Sequence, residues 1–218
     1  CSLCEQRYHG VTKCALAWAC WKTYLGRPEV DGLRMNAMTV LGLGLFSAPP
    51  HEDAVSVQEA ELSMLRRLGA AEGTILSVQT NLAITYESQG RWEDALHLKR
   101  GVYSGHLRLN GEEQGSTLRA ANNYANSLGQ LQRFGEVKAL MRKTIPVARR
   151  NFGDSTELTL QLRVTYTAAL YMDDGATLDD LHEAVSTLEE IERIARRVLG
   201  GGHPTAVRMK QSLRQARA

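Results

Sequence analysis

The chain has 218 residues, 43% of them apolar and 23% charged, which is ordinary globular composition and excludes a disordered chain. Its 26 basic and 24 acidic residues leave a net charge of +2, far from the positive field that non-specific nucleic-acid binding needs, so nucleic acid is not an expected partner. The longest apolar stretches, 14–21 and 39–46, fall well short of the ~20 residues that a membrane span requires, so no bilayer crossing is expected.

Aromatic residues make up only 6% of the chain, while Leu, Ala and Arg are abundant and β-branched residues are scattered. That balance favours helices over sheets and predicts an all-α fold. The sequence opens at Cys1 without an initiator Met or the basic-then-apolar build of a signal peptide, and reads as truncated or processed. All four cysteines, Cys1, Cys4, Cys14 and Cys20, lie within the first 20 residues. A chain otherwise without thiols fits a reducing, cytoplasmic setting.

Residues 1–13 form a Cys/His-rich segment. Cys1, Cys4, His9 and Cys14 have the spacing C-x2-C-x4-H-x4-C, and three thiolates with one imidazole suit a tetrahedral zinc ion. Such a site could be the remnant of a zinc module that binds nucleic acid or regulates the rest of the chain. Against it, Glu5 and Tyr8 stand where zinc knuckles carry glycine, and Cys14 reads as the start of a helix. Reduced cysteines packed beside Trp18 and Trp21 are the alternative, with no cofactor.

From residue 14 onward the chain repeats itself. Gly69, Gly111 and Gly153 are spaced 42 and 42 apart, Gly200 follows after 47, and three of these glycines close an Arg-rich helix end. A polar-acidic-small step recurs in phase at HEDA (51–54), RWEDA (91–95), RFGEV (133–137) and LHEA (181–184). A third landmark, NLAITYESQGR (81–91), returns as NYANSLGQLQR (123–133), again 42 apart. A fixed period of this length means stacked supersecondary units.

Each unit reads as two helices joined by a turn, as with the apolar spacing of Leu82, Ala83 and Tyr86, the break at Gln89-Gly90 and a second helix from Trp92 toward Arg108. Ala83, Ala125 and Gly42 are the small residues that let paired helices approach, met from the partner helix by Ala54, Ala95 and Ala184. The boundaries are a half repeat over 14–26, four repeats over about 33–69, 70–111, 112–153 and 154–200, and a capping helix over 203–217, with Pro204 in its first turn. Two irregularities stand out. Pro146 falls inside the second helix of the third repeat, where it should remove a hydrogen bond and bend the array, and the fourth repeat is lengthened around residues 173–176.

The motif NLAITYESQGRWEDAL (81–96), the Leu-Gly ends and the Gly-Gly-His-Pro-Thr stretch at 201–205 resemble the tetratricopeptide repeat, in the 42-residue form of kinesin light chains. The resemblance covers about 33–217. It implies a right-handed superhelical solenoid of antiparallel helix pairs, no enzymatic activity, and a concave groove lined by the first helices, in which a protein-interaction scaffold or adaptor holds an extended peptide. Carried onto this chain, the groove positions are Ser77, Thr80, Asn81 and Ile84, then Arg119, Asn122, Asn123 and Asn126, then Gln161, Thr165, Ala168 and Tyr171.

The middle set is the most polar. Asn disfavours helix interiors, so three within five helical residues suggest a use beyond solubility, since amides can both donate to and accept from a peptide backbone. A simply solvated face is the alternative. With Arg119 beside them and few other charges, the residues point to an acidic or carboxylate-bearing partner. The arginine pairs at 66–67, 149–150 and 196–197 could mark a nucleic-acid stripe, but they fall in last helical turns, where cations complement the helix dipole. No metalloprotease, nucleophile-elbow or phosphate-loop pattern occurs.

Overall fold

A computed structural model describes residues 8–49, 51–202 and 204–216. Among the described residues there are ten α-helices and no strand: α1 (Gly10–Tyr24), α2 (Gly32–Phe46), α3 (Glu52–Arg67), α4 (Glu72–Ser88), α5 (Trp92–Asn110), α6 (Gly115–Gln130), α7 (Phe134–Phe152), α8 (Glu157–Tyr171), α9 (Leu178–Leu199) and α10 (Pro204–Ala216). The all-α expectation holds. The chain divides into two units, one ending at Val102 and one beginning at Tyr103, so the boundary falls inside α5.

In the first unit, sequential helices pack as antiparallel neighbours. One core cluster joins Val55, Leu62 and Leu65 of α3 to Val78, Leu82, Ala83 and Tyr86 of α4 and Ala95 of α5. Ala54, Ala83 and Ala95 are fully enclosed, as their place in the repeat requires. Gly42 is likewise a close-approach site, because a Cβ there would stand 2.9 Å from Gln58 Cγ. The tightest contact lies two residues on: a Cβ on Gly44 would overlap the Cβ of Ala17, so α1 and α2 meet nearly backbone to backbone.

Several buried polar groups of this unit pair with one another, while Arg34 Nε and His51 Nδ1 are buried without a hydrogen-bond partner among the described residues. The Thr85 hydroxyl donates to Gln58 Oε1 at 2.8 Å, and Lys99 meets Glu87 at 2.6 Å between α4 and α5. Glu61 is 3% exposed and is met by the Thr39 hydroxyl. Burial pushes its carboxyl above the usual range, against the opposing hydrogen bond from Thr39.

In the second unit the same landmarks recur. Ala125, Val137 and Ala184 are enclosed, and Leu160, Ile191 and Ala195 join α8 to α9. Helix α7 runs unbroken through Pro146, so the proline removes one donor without ending the helix. The lengthened segment of the fourth repeat forms an ordered turn: Asp173 accepts from Gly175 N–H at 3.1 Å and from Lys138 Nζ at 2.8 Å. A capping box between Thr177 and Asp180 then starts α9.

The arginine pairs occupy the last turns of α3, α7 and α9, as expected. Two of them also reach a carboxylate in the loop before their own hairpin: Arg67 pairs with Glu29 at 2.6 Å, and Arg150 with Glu113 at 3.2 Å. Arg149 pairs with Asp154. These ion pairs are exposed and contribute at most about 1 kcal/mol each; they engage Arg67, Arg149 and Arg150 with carboxylates.

Substitution of Gly44 by Ala should destabilise the fold by about 1–3 kcal/mol through overpacking against Ala17. Gly101→Ala, at a helical site with nothing within 4 Å of a new Cβ, should stabilise it by up to ~1 kcal/mol. Denaturant melts of the two variants check the opposite signs. For Glu61, whose folded pKa is raised, the stability of the protonated form is fully present below the ordinary glutamate range and is lost as pH rises through the folded value. Glu61→Gln should therefore raise Tm relative to the parent at neutral pH, with the gap closing as pH falls toward 4 (about the unperturbed value); melts across pH test this.

Candidate functional site: an amide-lined cleft between α6 and α8

Helices α6 and α8 are the first helices of consecutive hairpins in the second unit and run side by side in the same direction, which brings residues 42 apart face to face. Asn122, Asn123 and Asn126 of α6 meet Gln161, Val164, Thr165 and Ala168 of α8 along a cleft lobe of about 330 Å³. Helical spacing puts these three asparagines on one face. Asn123 and Asn126 are exposed and Asn122 is half-buried.

Thr165 organises the lobe. Its hydroxyl donates to Asn122 Oδ1 at 2.8 Å and lies 3.2 Å from Asn126 Oδ1. With their oxygens turned to Thr165, both amides leave their Nδ2 donors without a partner among the described residues. Gln161 Nε2 donates to Glu157 Oε1 at 3.1 Å, which fixes its amide in turn. Held side chains lose less rotamer freedom when a ligand arrives, so the arrangement is preorganised for hydrogen bonding.

A second lobe of about 410 Å³ adjoins the first, sharing Asn126, Thr165 and Ala168. Ala125, Gly129, Phe134, Val137, Ala169 and Met172 give it an apolar lining, with Gln130, Gln132 and Asp174 as its polar members. Sequence reasoning missed this lobe. Its lining is drawn from α6 and the turn after it, the start of α7, and α8 with the segment that follows, so no single repeat landmark marks it.

The structure brings together Asn122, Asn123, Asn126, Gln161, Thr165 and Ala168. It does not bring in Arg119 or Tyr171. The Arg119 guanidinium lies back over Gly115, beside Phe152, exposed and without an ion pair among the described residues. Tyr171 is turned toward α10, where its hydroxyl hydrogen-bonds with Ser212; burial raises its pKa, and that bond lowers it by less. In the first unit Ser77 is exposed and donates to Gly73 C=O at 2.9 Å, Thr80 donates to Leu76 C=O at 2.8 Å, Asn81 is half-buried and Ile84 is 42% exposed.

Of the metal-ligand set, Cys1 and Cys4 lie outside the described residues. His9 is exposed and immediately precedes α1, whereas Cys14 sits one turn inside that helix, packed against the cluster of Ala17, Leu41, Leu45 and Ala54. Among the described residues no three His, Cys, Asp or Glu side chains converge as a metal site. No described helix is long and apolar enough to cross a membrane.

Residues 75–114 match the family model described as the tetratricopeptide repeat, which spans α4, α5 and the turn between them. The fold extends that match through most of the chain. A solved structure described as nearly identical TPR-like repeats of a kinesin light chain from Podosopora anserina superposes with a TM-score of 0.73 at 17% identity, covering 85% of this chain and 86% of that one. The chain has a tetratricopeptide-repeat fold of the kinesin-light-chain-like kind. BtubC (BKLC) from P. vanneervenii is similar at a TM-score of 0.57 and 14% identity, over 94% of this chain and 90% of that one. A Rap protein, solved in complex with Competence and Sporulation Factor, is similar at 0.61 and 14%, over 94% of this chain and 58% of that one. No curated protein matches the chain in sequence.

Proposed function

We propose that this chain is a non-enzymatic interaction scaffold that holds an extended peptide in the α6/α8 cleft. The observation that carries the reading is the pair of amides, Asn122 and Asn126, oriented by one Thr165 hydroxyl with their donors free. An extended backbone presents a carbonyl on alternate sides at ~3.3 Å per residue, so amides one helical turn apart, ~5–6 Å, can serve successive carbonyls on one side of a strand. Such bonds read backbone rather than sequence, which suits a scaffold.

The tetratricopeptide-repeat fold supports the reading, as does the Rap protein of similar fold, whose structure holds Competence and Sporulation Factor. Arg119 stands one turn before Asn123 with no carboxylate engaged, and a swing away from Gly115 would bring its guanidinium toward an acidic residue of the peptide. A cytoplasmic setting fits a chain in which the described cysteines, Cys14 and Cys20, are free thiols.

Asn123→Ala combined with Arg119→Ala should abolish partner capture in a pull-down while leaving the helical circular-dichroism signal unchanged. Both side chains are exposed, so their loss costs the fold little. Undiminished capture by the folded double variant would place the binding surface elsewhere.

A further inference from the structure

The turns after α4 and α6 occupy the same place in the repeat and have the same hydrogen bonds. Gly90 N–H donates to Glu87 C=O at 3.0 Å and Arg91 N–H to Tyr86 C=O at 2.9 Å; Gln132 N–H donates to Gly129 C=O at 3.0 Å and Arg133 N–H to Leu128 C=O at 2.9 Å. This is the Schellman closure, whose left-handed residue favours glycine. Gly90 supplies it at φ +74°, but the third repeat places Gln132 there at φ +59°. Among the described residues Gln132 is the one non-glycine with positive φ.

A Cβ in that region is sterically disfavoured, and the Gln132 side chain makes no hydrogen bond to a described residue that would offset it. What the substitution does is set a long polar side chain at the apolar lobe of the cleft. Asp174 lines the same lobe. Its neighbour Asp173 is engaged by Lys138, whereas Asp174 forms no ion pair among the described residues.

We infer that the apolar lobe anchors one large apolar side chain of the bound peptide, with Gln132 and Asp174 contacting the residues beside that anchor and Asp174 favouring a Lys or Arg there. This rests on the cleft being a peptide site. Gly129, Ala125 and Ala168 leave the lobe its depth, and Phe134, Val137 and Met172 give it apolar contact. Because the lobe opens into the amide-lined one through Asn126 and Thr165, a backbone lying along the amides carries its side chain directly into the apolar space. The anchor supplies selectivity that the backbone-reading amides lack.

The probe is a phage-displayed library of random linear peptides selected on the intact chain, with affinities of the enriched sequences measured by fluorescence polarisation. The enriched peptides should share a Leu, Met or Phe next to a basic residue, and replacing that anchor by Ala should weaken binding about tenfold or more, as expected for one well-buried large side chain. Gln132→Gly should raise Tm by about 2–4 °C while weakening the same peptides several-fold. Peptides that need Asn123 but tolerate Ala at every apolar position would overturn the anchor and leave the cleft reading standing. Enriched peptides indifferent to Asn123→Ala, or none at all, would overturn both. A Tm that Gln132→Gly leaves unchanged or lowers would remove the role assigned to Gln132.

Discussion

The constraint on which the two units depend is the short distance between paired helices at a few small residues. Ala83 of α4 and Ala95 of α5 are fully enclosed in one cluster, and Ala54, Ala125, Val137 and Ala184 keep the same phase with 0–1% exposure. Helices pack at 8–10 Å only when the residues between them allow it. With Ala at those positions, and Val at 137, the larger neighbours Leu82, Leu118, Leu128 and Leu160 fill the remaining space in fixed rotational phase. That phase decides which face of each first helix stays open. On α6 the open face carries Asn122, Asn123 and Asn126.

The cleft follows from the period. Helices α6 and α8 begin 42 residues apart, so Thr165 is delivered opposite Asn122 and Asn126 without any special device. Where the third and fourth repeats depart from the pattern, they contribute to the lining of the apolar lobe. Gln132 takes a glycine's place in the turn after α6, and Met172 with Asp174 comes from the end of α8 and the lengthened segment that follows. A regular array presents the backbone-reading amides, and its irregular members add the shape beside them.

Much of this was legible in the sequence. The glycine period, the small-residue step and the arginine ends placed the hairpins and the enclosed alanines, because each depends on local spacing and residue size. The asparagine triplet was legible too, since it offends helix propensity. Side-chain direction was not. Arg119 lies over Gly115 and Tyr171 leans to α10, and neither choice is encoded in a residue's position along its helix. The overlap of a Cβ on Gly44 with Ala17 depends on how α1 docks, which no repeat landmark describes. The apolar lobe draws on residues from two hairpins, although comparing Gly90 with Gln132, 42 positions apart, would have flagged its rim.

The central claim is that the amides of the α6/α8 cleft receive a peptide backbone. Side-chain amide resonances report it most directly, because each Asn and Gln Nδ2 or Nε2 group gives its own signals in a nitrogen-proton correlation spectrum. On titration with a peptide selected on this chain, the account predicts that the signals of Asn122, Asn123 and Asn126 shift together at one saturation point. Shifts confined to amides outside the cleft, with these three unmoved, would contradict it.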